Sequence, residues 1–267
     1  MLSTLFKKLR RAIWTFGQPL SYRPKIIHAQ VSDLFIWRNS DEYQTFFELI
    51  TLSGLLGEFD SEQNRKVRFE FYNSDGERVF ELFLDSHANK RQTINLSQYL
   101  PANAGSIGTF CVFHGPTPRE ISSVGSFLAE RGYVSYRYRN APLRSYVHGN
   151  FDAVALYERA EREFLGCTGM FQREFRLQLR CITGTIYEFV LINSTSKLQI
   201  VEAMARSNVN GEKVWQRRVT LHPGSIYVFK PEVITEPSFR IIIKSHITMA
   251  RPLVFLTKNR NLDVFHG

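Results

Sequence analysis

The side chains best suited to chemistry crowd into one stretch. Tyr133, Tyr136, Tyr138 and Tyr146 interleave with Arg131, Arg137, Arg139 and Arg144, and His148 and Asp152 follow in the run His-Gly-Asn-Phe-Asp. Tyrosine rings beside guanidinium groups can stack on bases, lie against sugar rings and hold phosphates. In a strand, however, Tyr136 and Tyr138 share one face while Arg137 and Arg139 share the other. The same pattern therefore also describes an ordinary strand with a solvated basic side. The ligand-binding set expected from the sequence is Tyr136, Tyr138, Arg137, Arg139, His148 and Asp152.

Three histidines, His114, His148 and His266, each follow an apolar residue and precede a glycine. Imidazoles gathered at strand ends, with a carboxylate such as Asp152, can hold zinc or iron, as in a cupin or jelly-roll enzyme. Yet no HxH, HxxxH or HExxH spacing occurs, so nothing local preorganises such a site, and the expectation is no metal and no cofactor. Nucleophile elbows, P-loops and G-x-G-x-x-G turns are absent as well. Cys111, Cys167 and Cys181 form no CxxC pair, which excludes zinc ribbons and reads as free thiols in a reducing compartment. These features weigh against an enzyme.

The elements that must position these residues are strands. Segments such as KVRFEFYN, GTFCVFHG, TIYEFVLIN and FRIIIKS are short and rich in β-branched and aromatic residues, with turn chemistry between them at Asn73–Gly76, Ala102–Gly105 and Gly115–Pro118. In Val67–Phe71 the apolar residues alternate with Arg68 and Glu70. The run AVALYERAEREFLG, residues 153–166, instead suits a helix with Val154, Tyr157, Phe164 and Leu165 on one face.

The chain also repeats itself. RGYVSYRYRNAPLRSYVHG, residues 131–149, resembles RPLVFLTKNRNLDVFHG, residues 251–267. Asn73–Ser74 and Asn193–Ser194, and Gly105–Ile107 and Gly224–Ile226, match in the same order at offsets of 118–121 residues. A mainly β protein of two tandem related antiparallel sandwiches, jelly-roll-like, is expected, with repeats at 31–149 and 150–267. The second copy replaces most of the Tyr/Arg interleaving with Val254-Phe-Leu256, so function is expected where the copies differ.

An amphipathic basic helix is expected at residues 1–17 and a linker at 18–30. Leu2, Leu5, Phe6, Leu9, Ile13 and Phe16 form an apolar stripe, and Lys7, Lys8, Arg10 and Arg11 supply the charge, which suits an anionic membrane surface. No apolar run reaches the roughly 20 residues of a membrane-spanning helix, and the charges interrupt any secretory h-region. Of the net charge of +9, six units lie in residues 1–30, so the bulk of the chain carries too little excess charge to favour nucleic acid. The expected function is non-enzymatic: a cytoplasmic accessory or scaffold protein, peripheral at a membrane, that binds a protein partner or, alternatively, a carbohydrate or glycan intermediate.

Overall fold

Strands form here because alternate aromatic and β-branched side chains can be buried while the backbone pairs sideways. The computed structural model describes residues 30–49, 65–86, 91–114, 132–157, 162–177, 179, 181–182, 185–231, 238–248 and 251–267, without the side chains of residues 65, 86, 150–152 and 182. The described residues are mainly strand and contain no α-helix. The expected helix at 1–17 and the membrane-contact residues within it lie outside them.

The first ten strands are β1 (Gln30–Arg38), β2 (Tyr43–Leu49), β3 (Arg65–Asn73), β4 (Arg78–Ser86), β5 (Gln92–Asn95), β6 (Ile107–Phe113), β7 (Tyr133–Tyr138), β8 (Ser145–Val147), β9 (Asn150–Leu156) and β10 (Arg162–Phe164). They build two antiparallel sheets, ordered β10-β9-β1-β6-β3-β4 and β5-β2-β7-β8. The remaining strands are β11 (Thr168–Arg176), β12 (Cys181–Ile182), β13 (Ile186–Ile192), β14 (Gln199–Ser207), β15 (Lys213–Leu221), β16 (Ile226–Phe229), β17 (Ser238–Ile247), β18 (Leu253–Lys258) and β19 (Asn261–His266). They build the sheets β11-β17-β14-β15, with β12 also on β17, and β16-β13-β18-β19. Among the described residues, every pairing between these strands is antiparallel.

Each pair of sheets is sandwich-like. In the first, Phe35, Phe47, Phe69, Phe71 and Phe110 pack between the sheets, with ring centroids of neighbouring pairs 5.1–6.4 Å apart. Val67, Phe69 and Phe71 are fully buried on one side of β3, as the alternation requires. In the second, Phe189, Phe229, Phe239, Ile241 and Ile243 do the same work.

Strand order recurs between the two halves. The sequence β1-β6-β3-β4 and β5-β2-β7-β8 reappears as β11-β17-β14-β15 and β16-β13-β18-β19, taking the strands in chain order. β9 and β10 add to the first sheet beyond β1. The helix expected at 153–166 is therefore a pair of strands. Ala153, Val154, Ala155 and Leu156 are buried consecutively, a pattern that a strand covered on both faces satisfies and a one-sided helix does not. Arg162 anchors β10 by pairing with the buried Glu70 of β3.

The halves share a core. Residues alternate along β13, β16, β18 and β19, so that Phe189, Phe229 and Val254 face the second sandwich. Val190, Ile226, Leu253, Phe255 and Val264 face the first. At this seam Phe255 lies edge-on to Tyr136, centroids 4.8 Å apart, and to Tyr43 at 5.9 Å. Arg38 places its guanidinium 3.5 Å from the Tyr43 ring centroid and pairs with Glu188, which also pairs with Lys230. Burial alone would raise the Glu188 carboxyl, but Arg38 and Lys230 outweigh it and hold it below its ordinary range. The Asn73–Gly76 turn docks here too: the Ile226 amide donates to the Ser74 carbonyl at 2.9 Å. A side chain on Gly76, at φ 84°, would run into the Pro223 carbonyl.

Candidate functional site

The outward side chains of the β5-β2-β7-β8 sheet are Gln44, Phe46 and Glu48 from β2, Tyr133, Ser135 and Arg137 from β7, Thr93 from β5 and Tyr146 from β8. Pairing sets them side by side: Gln44 opposite Arg137, Phe46 opposite Ser135, Glu48 opposite Tyr133 and Thr93, and Ser135 opposite Tyr146. Phe47 and Val134, one step along each strand, point into the core, and this fixes the register.

Glu48 sits at the centre. Its side chain is 1% exposed and accepts from Arg91 Nε at 2.9 Å and Thr93 Oγ1 at 2.8 Å. Arg144 lies 3.4 Å from its other oxygen, and the Tyr146 hydroxyl donates to that oxygen at 3.5 Å. Beside it, the guanidinium groups of Arg137 and Arg144 lie 5.1 and 4.8 Å from the Phe46 ring centroid. Arg137 also donates to Gln44 Oε1, through Nε at 3.0 Å. Tyr133 and Tyr146 remain 49% and 43% exposed, so two aromatic rings flank the charged cluster at the surface. The buried Ser135 hydroxyl has no hydrogen-bond partner among the described residues.

Arg91 and Arg144 meet Glu48, and Arg137 adds a third positive charge beside them, leaving the surface net positive. Planar guanidinium groups with several N–H donors suit hydroxyl, carboxylate and phosphate oxygens, and tyrosine rings suit the C–H faces of sugars.

The sequence-predicted ligand residues are divided by this geometry. Arg137 belongs to the outer face. Tyr136 does not: it is fully buried, donates its hydroxyl to the Ile36 carbonyl at 2.8 Å and packs on Phe255. Tyr138 is also inward, against Tyr43 at 5.1 Å. Strand alternation sends both tyrosines to the core face. Arg139 pairs with Glu42 at 2.7 Å at the rim. The backbone of Asp152 lies in β9, and its side chain falls outside the described residues.

His148 and His266, expected in separate domains, meet at the seam. Their rings stack with centroids 4.4 Å apart, and His266 Nε2 lies 3.0 Å from the His148 carbonyl. Burial lowers the His266 imidazole below its ordinary value, against the hydrogen bond to the His148 carbonyl, which raises it. His114 ends β6. Among the described residues, no three His, Cys, Asp or Glu side chains are grouped to hold a metal ion.

Sequence reasoning did not single out Glu48, Phe46, Arg91 or Thr93. The one available signal was alternation in Tyr43–Leu49, which puts Phe46 and Glu48 on the same side.

The second half carries the same positions with different residues. Placing β18 on β7 and β13 on β2 by their pairing sets Glu188, Val190, Leu253 and Phe255 where the first half has Phe46, Glu48, Tyr133 and Ser135. That face is buried against the first sandwich.

No protein-family model and no curated protein matches the chain. Among solved structures, it is similar to a calcium-binding mutant of Bacteroides uniformis beta-glucuronidase 2, with a TM-score of 0.16, 9% identity and 87% of this chain covered. The chain spans 25% of that protein's chain.

Proposed function

We propose that this chain is a non-enzymatic binding protein made of two tandem related antiparallel sandwiches, and that it takes a glycan on the outer face of the β5-β2-β7-β8 sheet. The observation that carries this reading is the contrast between equivalent faces. The second sandwich spends its face on an apolar junction with the first. The first sandwich keeps Glu48, Arg91, Arg137 and Arg144 among Phe46, Tyr133 and Tyr146 on a face with exposed rings. The recurring strand order supports duplication, and the junction supports a scaffold that holds the ligand face rigid. Excess positive charge favours a glycan with acidic substituents.

The test is a glycan array on the purified chain, followed by calorimetry with the best-binding oligosaccharide. Arg137→Ala and Tyr146→Ala should each weaken binding by about tenfold or more, the range of aromatic and arginine hot spots. Tyr136→Ala should act through stability. Binding that survives both Arg137→Ala and Tyr146→Ala unchanged would remove this face from consideration. The amphipathic segment 1–16 would attach the protein peripherally to an anionic membrane. In that case, deleting it should reduce co-sedimentation with anionic vesicles.

A further inference from the structure

The outer face of the β11-β17-β14-β15 sheet, on the second sandwich, combines two features. The first is an apolar corner. Between Thr168, opposite Ile247, and Arg173, opposite Ser245, β11 bulges out of register. Met170 and Phe171 lie in that bulge, 85% and 70% exposed. Leu198 and Ile200, 53% and 41% exposed, stand at the start of β14, on the outer side by alternation with Glu202. These two exposed apolar pairs flank the end of β17, and large apolar side chains grouped this way mark contact surfaces more often than scattered single residues do.

The second feature is charge. Behind the corner, Arg206 faces Arg240 directly across β14 and β17, a like-charged pair that a freely solvated sheet disfavours. Arg176, opposite Ile242, and Arg218, opposite Glu202, lie on the same side. Lys244 also lies there, balanced by Glu174 and Glu202 across the strands. Arg176 Nε also lies 2.7 Å from Glu174, yet Arg176, Arg206, Arg218, Arg240 and Lys244 together outnumber Glu174 and Glu202, so the face is net positive. Ile242 and Met204, on the same side, are nonetheless buried, as expected where long basic side chains cover apolar surface with their stems.

We infer that this face docks on an anionic lipid bilayer, with Met170 and Phe171 entering the headgroup–acyl boundary and the Arg206–Arg240 region meeting the anionic headgroups. A bilayer surface is the occupant that fits both features. It accepts apolar side chains beside basic ones without a shaped groove, and it turns the repulsion between Arg206 and Arg240 into attraction. The contact is independent of residues 1–17 and leaves the glycan face of the first sandwich clear.

The experiment uses the full chain and two vesicle types: phosphatidylcholine alone, and phosphatidylcholine with phosphatidylserine. The native chain should sediment with the phosphatidylserine vesicles and release as salt rises. The double variant Met170→Ser/Phe171→Ser should bind about tenfold more weakly or worse, and Arg206→Glu/Arg240→Glu should show a similar loss. Leu143→Ser, a matched loss of an 81% exposed apolar residue elsewhere, should change nothing. Unchanged vesicle binding in the Met170/Phe171 variant would overturn the inference, since residues 1–16 alone would then account for attachment. So would equal binding of the native chain to both vesicle types. Loss of self-association in that variant with vesicle binding intact would assign the surface to a second copy of the chain and also overturn it. Glycan binding should be unaffected throughout, so failure here is distinguishable from failure of the ligand-face reading.

Discussion

The Arg38–Glu188 pair is the sharpest test of how the two sandwiches are joined. Glu188 is 5% exposed and Arg38 11% at the side chain. The pair is enclosed by Tyr43, whose hydroxyl lies 3.3 Å from Glu188, and by Phe255, 4.7 Å beneath the guanidinium. Glu188→Leu removes the anion and leaves Arg38 in an apolar seam, which should cost about 3–5 kcal/mol, the range for uncovering one partner of a buried pair. Arg38→Leu should cost less, on the order of 1–3 kcal/mol, because Lys230, at 44% exposure, still neutralises Glu188. The double variant removes both buried charges and should be near neutral, since well-packed apolar residues replace such pairs without net loss. The cycle therefore predicts a coupling of several kcal/mol, large beside a total stability of about 5–15 kcal/mol. The assay is urea unfolding followed by circular dichroism and by tryptophan fluorescence. Trp37 reports on the first sandwich and Trp215 on the second. Both probes should move together, because Val190, Ile226 and Phe255 belong to the core cluster of the first sandwich. Additive single-variant costs, or a Glu188→Leu cost below about 1 kcal/mol, would show that the pair does not hold the seam and refute the reasoning.

Three further outcomes follow from the same contacts. The folded His266 imidazole titrates below its ordinary 6.5. The unfolded chain therefore binds the proton first, and stability should decline as pH falls from about 6.5 towards the folded value. His266→Gln should flatten that part of a stability–pH curve, while the contribution of Glu188, held below 4.5, should persist until more acid pH. Burial pushes the Cys181 thiol up to about 12 and Cys111 well above its usual value, so a thiol reagent should reach neither until denaturant is added. Gly108→Ala should cost about 3 kcal/mol or more in urea unfolding. The new methyl would strike the Tyr72 carbonyl and lie 2.7 Å from the Trp37 ring, where backbone cannot yield.

The repeated ending shows what a sequence of this kind reveals and where it misleads. The matched phrases at 131–149 and 251–267 contain β7–β8 and β18–β19, which occupy the same places in the recurring strand order. Arg139 and Asn259, just past β7 and β18, both adopt φ 51°. The upstream matches behave differently. Asn73–Ser74 ends β3 and opens the turn to β4, while Asn193–Ser194 lies between β13 and β14, a different connection in that order. Gly105–Ile107 leads into β6, but Gly224–Ile226 leads into β16, the counterpart of β5. What these sites share is turn chemistry. Asn73 and Asn193 each accept a backbone amide two residues on, at 3.0 Å, and Gly105 and Gly224 both need positive φ. Turns with one solution recruit the same residues wherever they occur, so short matches in turns say little about common placement. Alternation likewise announced the strands but not their partners. Tyr136 and Arg137 look equally available along the chain, and only the packing of Phe255 on one side of β7 decides that Tyr136 is structural. Glu48 gained its surroundings from Arg91, 43 residues away, and from Arg144, 96 residues away. No local pattern records such a convergence. The difference between the two halves was the more informative signal, because two halves with one strand order place the buried version of this face at their junction and leave the other open.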